Sequence, residues 1–182
     1  MKKVVFILFL ASSVLAISSW AVAVVFKLPM DAVKEEFPEA TEVEIKNVIL
    51  RPEQVVEIEK ISRLKVKDRL TSFYLGKRGS EILGFAVFDT HIVRTKPETF
   101  LLLFDKEGKV KNVRTIAFYE PLEYLPPQKW LNLMKGKGSK DSLRLKVVLP
   151  NITGATMSAQ AAIEAVRRNL AIYRVVFGEN GQ

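Results

Sequence analysis

The strongest constraint on the fold is a pair of short, nearly uncharged segments in the middle of the chain, at residues 82–88 and 100–104. Both are apolar on the two faces that alternate along a strand, and they are too short for ordinary helices. Strands of this kind lie in the centre of a sheet, because both of their faces must be covered. The sequence therefore predicts a sheet whose interior strands contain these two segments.

Weaker patterns on either side complete the predicted secondary structure. Strand patterns occur at residues 41–50, 70–75, 82–88, 98–104, 110–118 and 143–149. The Gly-containing loops at residues 76–80 and 105–108 are typical of hairpins. Helices are predicted at residues 31–37, from Pro52 onward, and at 128–135. This order predicts an α+β fold in which a mostly antiparallel sheet is flanked by helices.

The last helix has the most regular pattern in the chain. Its apolar side chains recur on one face: Ala159, Ala162, Ile163, Val166, Leu170, Tyr173 and Phe177. The polar side chains fall largely on the opposite face: Gln160, Glu164, Arg167 and Arg168. We expect this amphipathic helix to pack its apolar face against the sheet.

The amino-terminal segment predicts export. Lys2 and Lys3 precede a run without charged residues from position 4 to 26, and residues 21–23 form an A-x-A signal-peptidase pattern. The run is also long enough to cross a bilayer, so residues 1–23 are either a signal peptide or a membrane anchor helix. Because the two lysines stay inside, both alternatives place residues 24–182, predicted as one domain, outside the cytoplasm.

Composition removes several classes of function. The 182 residues include no cysteine, which excludes disulfide frameworks and thiolate metal sites, and one histidine, His91, which excludes His-rich metal centres. The net charge of +8 comes from scattered lysines and arginines without a nucleic-acid-binding motif. With the export signal, this predicts a basic, solvated surface and no nucleic-acid partner.

The segment that can carry chemistry is the turn at residues 151–155 with the start of the last helix. Backbone N–H groups at a helix start lack partners within the helix and suit a phosphate. Gly154 and Ala155 allow close approach to the backbone, while Thr156 and Ser158 add hydroxyls. The residues alone leave two interpretations open: a phosphate site, or an ordinary helix start with Thr156 or Ser158 as the N-cap.

Residues 153–158, Thr-Gly-Ala-Thr-Met-Ser, resemble the (S/T)-G-A-T-x-(S/T) signature of the FMN-binding domain family. That family includes the C subunit of the sodium-translocating NADH:quinone reductase and the G subunit of the Rnf electron-transport complex. The likeness extends through much of residues 31–177, including 89–99 and 118–127, and it is greatest to small exported members of the family.

The resemblance implies that FMN is attached to Thr156 through a phosphoester bond, installed outside the cytoplasm by a flavin transferase that uses FAD. It implies that Gly154 and Ala155 shape the turn, and that Thr153 and Ser158 flank the attachment residue. The protein is then expected to be an extracytoplasmic electron carrier, exchanging electrons with membrane or periplasmic redox proteins rather than turning over a substrate.

One position departs from the family's fuller pattern, because the usual Asp three residues before the first Ser/Thr is Pro150 here. This keeps open an alternative function: a flavin-free envelope interaction or assembly module, in which Thr156 only caps the helix. For His91 two interpretations also remain, a contact with the flavin ring or a hydrogen-bonded structural residue beside Asp89.

Other side chains near the resemblance also have more than one interpretation. Arg94 and Lys96 either neutralise the flavin phosphate or the reduced N1 region, or are solvated loop cations. Glu120, Pro121 and Tyr124 are candidates to line the flavin ring, and the alternative for the aromatic residues Tyr124 and Trp130 is a place in the core.

Overall fold

A computed structural model describes residues 24–25 and 29–178 of the chain. The predicted signal peptide or anchor helix at residues 1–23 lies outside the described residues. Within the described ranges, none of the helices combines the length and the apolar character needed to cross a bilayer.

The described part of the chain forms an α+β fold around one antiparallel sheet with the strand order β1-β6-β5-β4-β3-β2. The strands are β1 Val24–Val25, β2 Glu42–Ile49, β3 Leu70–Arg78, β4 Glu81–Val93, β5 Lys96–Phe104 and β6 Val110–Phe118. The α-helices are α1 Pro29–Glu36, α2 Pro52–Ser62, α3 Gln128–Leu131 and α4 Thr156–Phe177, with 3-10 turns at Leu122–Tyr124 and Asn132–Met134. The predicted α+β class is confirmed.

The prediction for the interior strands is also confirmed, since β4 and β5 lie in the middle of the sheet. In this central pair of strands, apolar residues lie directly opposite each other: Phe85 is opposite Phe104, and Phe88 is opposite Leu101. Burial of both faces explains why these strands carry apolar residues at consecutive positions.

Helix α4 covers one face of the sheet and packs beside α2. The last turns of α4 insert two aromatic side chains among the aromatic side chains of the strands. The ring centroids of Tyr173 and Phe85 are 5.0 Å apart, and those of Phe177 and Phe73 are also 5.0 Å apart. Edge-to-face pairs at this distance add about 1 kcal/mol each to the burial of the rings. The predicted apolar face of α4 is therefore the main cover of the sheet.

Helix α1 covers part of the other face. Its Ala32 and Val33, with Phe37 just beyond, form a second apolar cluster with Leu101 and Leu103. The register places further apolar side chains of β2, β3 and β4 on this same face, where they are exposed: Ile45, Ile49, Leu70 and Ile92. The cover on this face is thus incomplete in the described residues.

The strand predicted at residues 143–149 is wrong. The chain turns back on itself there, because the carbonyl of Arg144 accepts from the N–H groups of Val148 and Leu149. Lys146 has a φ of 64°, and the only strand-like pairing in this segment is an isolated bridge between Leu145 and Leu149. Local hydrogen bonds replace sheet pairing, so the apolar pattern that predicted a strand leaves Val147 and Val148 exposed.

The turn between β5 and β6 provides a test of the core. Gly108 has a φ of 73°, and a Cβ there would lie 2.4 Å from the Tyr173 ring. Gly79, in the turn between β3 and β4, has a φ of 61° and no heavy atom near its hypothetical Cβ. We expect Gly79→Ala to lower the free energy of unfolding by about 1 kcal/mol, through left-handed strain alone. Gly108→Ala should lower it by about 3 kcal/mol, because overlap with Tyr173 is added.

Urea denaturation of the two variants measures this difference. Equal losses would show that Tyr173 moves aside without cost, and that its packing does not fix the position of this turn.

Candidate functional site

The turn before α4 is held by backbone hydrogen bonds and by one indole. The N–H of Ala155 donates to the carbonyl of Ile152 at 3.2 Å, and Gly154 has a φ of 85°, which favours glycine. Nε1 of the buried Trp130 donates to the carbonyl of Pro150 at 2.8 Å. Trp130, predicted only as a core aromatic, therefore also fixes the start of the turn.

Thr156 is the first residue of α4, and its hydroxyl points back into the turn. Oγ1 lies 3.0 Å from Oδ1 of Asn151 and 3.1 Å from the carbonyl oxygen of Ile152, to either of which it can donate. The N-cap residue is Ala155, and no side-chain cap bond is present at this helix start. The interpretation in which Thr156 or Ser158 is an N-cap is therefore wrong. The short, rigid turn places both hydroxyls inside the helix rather than in front of it.

The five predicted site residues lie within one tight segment but differ in exposure. Thr153 and Gly154 are exposed, Thr156 is half-buried, and Ala155 and Ser158 are buried. A Cβ added at Gly154 would meet only the carbonyl oxygen of Glu123, at 3.9 Å, so the outer side of the turn has free space. A group joined to Thr156 would thus begin at the surface of the domain.

Ser158 differs from the other four because its hydroxyl has no partner. Its side chain is 1% exposed, and its Oγ makes no hydrogen bond to any described residue. Buried hydroxyls are ordinarily paired, so this orphan is a local cost in stability.

The turn between β4 and β5 contacts the 3-10 turn at Leu122–Tyr124, and the carbonyl oxygen of Glu123 in that 3-10 turn is the atom nearest to a Cβ at Gly154. The guanidinium of Arg94 lies 4.5 Å from the centroid of the Tyr124 ring. Glu120 accepts from the N–H groups of Thr95 and Lys96, both at 2.8 Å, and these bonds lower its pKa. Glu120 therefore fixes the turn between β4 and β5, whereas a role for Arg94, Lys96 or Tyr124 toward a flavin stays a prediction.

Farther along α4, charged groups are buried between the helix and the sheet. We name this the Asp89 cluster, and its members are Asp89, His91, Glu98, Arg168 and Asn169. Nδ1 of His91 lies 2.9 Å from Oδ1 of Asp89. Arg168 donates to both oxygens of Asp89 at 2.8 and 2.7 Å, and Asn169 donates to Oδ2 at 2.6 Å. Asp89 thus links the second half of α4 to β4.

Glu98 is the unusual member of the Asp89 cluster. Its side chain is fully buried, neither carboxylate oxygen has a hydrogen-bond partner among the described residues, and the nearest cation is Nε2 of His91 at 3.5 Å. Burial raises the pKa of Glu98, and His91 opposes this only in part. The electrostatic result is a carboxyl that holds its proton more tightly than one in water.

The interaction between His91 and Asp89 shifts the pKa values of both groups. Burial would lower the pKa of His91, but the hydrogen bond to Asp89 and the negative charges of Asp89 and Glu98 outweigh burial and raise the pKa to about 9. Burial would raise the pKa of Asp89, but bonds to His91 and Arg168 lower it instead. At neutral pH the centre of the cluster is therefore an imidazolium beside a carboxylate.

Sequence reasoning missed most of this cluster. The prediction that Arg168 lies largely opposite the apolar face of α4 is wrong, since Arg168 donates to Asp89 on β4. The reason is that α4 packs both on the sheet and on α2, and therefore buries more than one stripe of its surface. A usable signal existed on β4: Asp89 and His91 alternate with apolar residues, so both point to the same face as Phe85 and Val87. Asn151, predicted only as part of the turn at residues 151–155, was missed as the partner of Thr156.

Two clefts lie at some distance from the predicted site. One of about 240 Å³ is bordered by Gly108, Ser139 and Tyr173, and a smaller one by Ser62 and Arg167. Neither is lined by any residue of positions 151–158. Among the described residues, no group of acidic and histidine side chains is placed to hold a metal ion.

Comparison with known proteins adds no family assignment: no protein-family model matches the chain, and no curated protein matches it. The case for a flavin site therefore depends on residues 153–158 and on the geometry around Thr156.

The single histidine allows a direct test of the Asp89 cluster. We expect the imidazole of His91 to titrate with a midpoint of about 9 in an NMR pH titration. Asp89→Asn should lower this midpoint, since it removes the principal hydrogen-bonding anion. A wild-type midpoint at the ordinary value of about 6.5 would contradict the ion pair.

The same shift predicts how stability depends on pH. Because the folded pKa of His91 exceeds the unfolded value, its stabilising contribution is complete below pH 6.5 and is lost as the pH rises through about 9. Wild-type protein should therefore lose more stability than His91→Gln between these pH values, by up to about 3 kcal/mol. Denaturation midpoints of wild type and His91→Gln, measured between pH 6.5 and about 9, test this prediction.

The orphan hydroxyl of Ser158 gives a further prediction. Ser158→Ala should leave the free energy of unfolding unchanged or raise it by up to about 1 kcal/mol, because no bond is lost. Ser62 is a matched control, since it is equally buried but its Oγ accepts from the N–H of Leu64 at 3.2 Å. Ser62→Ala should cost about 1 kcal/mol. An equal loss in both variants would show that Ser158 has a partner, such as a buried water.

Proposed function

We propose that this protein is an extracytoplasmic flavoprotein that relays electrons through FMN joined to Thr156 by a phosphoester bond. The single observation that carries the proposal is the place of the Thr156 hydroxyl, at the first residue of a 22-residue helix and beside the open turn at Gly154. The family resemblance assigns the attachment to this same hydroxyl.

The environment of Thr156 suits a phosphate. The amides of Thr156, Met157 and Ser158 occupy the first turn of α4, where no carbonyl within the helix can accept from them. The helix dipole places partial positive charge at the same point, and the first turn carries no acidic residue that would repel an anion. The residues present therefore fit the phosphate end of FMN.

The proposed attachment has a simple atom balance. The Thr156 oxygen bonds to the flavin-side phosphorus of FAD, AMP leaves, and the hydroxyl proton must pass to a base. Asn151 orients the hydroxyl through its amide oxygen, but an amide is not a base at neutral pH. The flavin transferase or water must therefore take the proton.

Bound FMN supplies reversible electron transfer, and the chain supplies attachment and surroundings. The open space outside Gly154 leaves the group at the surface, where a partner protein can approach it. The net charge of +8 favours acidic membrane or periplasmic redox proteins as partners, through steering of the encounter. The lysine-flanked apolar leader supports export or attachment to the outer face of the cytoplasmic membrane.

Pro150 favours one alternative, the flavin-free envelope interaction or assembly module of the same fold. It replaces the carboxylate of the family's pattern, and its backbone carbonyl is used to bind Trp130. In that case the turn at residues 151–155 serves only to begin α4.

The test is covalent flavin after denaturation. We expect full-length protein produced with a flavin transferase to give a fluorescent band and a peptide heavier by the mass of FMN less one water. Thr156→Val should lose both signals, because it keeps the β-branched shape but removes the hydroxyl. Thr90→Val is the matched control, because it makes the same substitution at an exposed threonine of β4 outside residues 153–158, and it should keep both.

The two proposed functions give different results. Wild-type protein that lacks flavin after maturation, and that takes up no FMN when it is added, would support the assembly module and reject the electron carrier. Flavin retained in Thr156→Val would place the attachment at another residue.

A further inference from the structure

The two edges of the sheet are different. At one edge the two-residue strand β1 pairs with Ala117 and Phe118 at the end of β6, whereas in the described part of the chain no strand pairs with the outer edge of β2. Strand β2 runs for eight residues without proline or glycine, and its pairing with β3 has no bulge. Prolines and β-bulges are features that ordinarily protect a long edge strand, because an unprotected edge pairs with other strands.

The hydrogen bonds to β3 show which residues of β2 face outward. The N–H of Leu50 donates to the carbonyl of Arg69 at 2.8 Å, directly opposite in the extended register. Since bonded residues alternate in an antiparallel pair, even-numbered residues of β2 bond to β3. Val43, Ile45, Asn47 and Ile49 therefore direct their N–H and C=O groups to the open edge.

The open edge also carries apolar side chains. Ile45 is 48% exposed and Ile49 is 71% exposed. Leu70, which lies opposite Ile49 on β3, is 59% exposed and continues the patch on the face that α1 leaves uncovered. An exposed apolar strip beside free backbone groups is a surface suited to a further strand.

The charged side chains of β2 indicate which further strand fits the open edge, namely β2 of a second copy. If two copies of β2 pair antiparallel about a two-fold axis at Ile45, Glu44 of each lies opposite Lys46 of the other. Axes at Glu44 or Lys46 would instead oppose two like charges, which is unfavourable. Lys46 already lies 4.9 Å from the ring centroid of Phe177, and Glu44 is bonded to Lys77, so both side chains stand on the α4 face. The segment is therefore self-complementary in charge as well as in backbone.

We propose that β2 pairs with β2 of a second copy of this chain, about a two-fold axis at Ile45, so that the two sheets join into one. The dimer places the two α4 helices on the same face of the joined sheet. It does not depend on flavin, because Thr156 lies outside the paired strands.

The absence of native cysteine makes a register test possible. At the proposed axis the Cα atoms of the two Ile45 residues would be about 5.5 Å apart, within disulfide range. Cells that produce the full-length Ile45→Cys chain should therefore accumulate a disulfide-linked dimer under mild oxidation. Val43→Cys should give far less, since the Cα atoms of the two Val43 positions would lie about 14 Å apart. Ile92→Cys is the control for random collision, because it lies on the same face and is more exposed than Ile45, at 72% against 48%.

Charge reversal provides a second, independent test. Lys46→Glu and Glu44→Lys, each placed in the Ile45→Cys background, should weaken the dimer about tenfold, because like charges then face each other. When the two variants are produced together, the opposing charges match again and the cross-linked dimer should return. Thermal denaturation of each variant checks that it is folded.

The outcomes are decisive. Cross-linking at residue 45 that exceeds that at 43 and 92, and that returns when the two charge variants are combined, supports the dimer. Equal cross-linking at all three positions would show random collision, and strongest cross-linking at 92 would show a different interface. Either result overturns the proposal, as does a charge effect that combination does not rescue.

Discussion

The docking of α4 on the sheet is the interaction on which the rest of the structure depends. Tyr173 and Phe177 fix its carboxyl end among the aromatic side chains of β3 and β4. Arg168 and Asn169 fix its middle through Asp89. With two separated anchors on one rigid helix, the position of its first residue, Thr156, is determined even though that residue lies at the surface.

The anchors are of different kinds, and they contribute differently. The aromatic contacts supply most of the stability, since burial of apolar area is the large favourable term. The Asp89 cluster contributes less net energy, because desolvation offsets much of the attraction between buried charges. What it adds is specificity: a shift of α4 along the sheet would leave Asp89 buried without its partners.

Sequence patterns predicted the fold class, the two interior strands and the apolar face of α4, because each of these follows from periodicity within one segment. The strand predicted at 143–149 was wrong for a related reason. Alternation of apolar residues is compatible with a strand, but a strand also needs a neighbouring strand with free backbone groups, and in the described part of the chain none pairs with this segment. In the candidate site, the sequence predicted the small-residue turn and the hydroxyl of Thr156, but neither Asn151 nor Trp130 as its supports.

The sequence by itself determined where the chain is apolar, where it turns and where a hydroxyl meets a helix start, since these are properties of neighbouring residues. Only the tertiary structure decided which distant groups meet. Asp89 and Arg168 are 79 positions apart, and their pairing depends on how far α4 slides along β4 before the aromatic rings are packed. The open edge of β2 was likewise decided by the strand order, because a strand's place in the sheet is set by all the other strands.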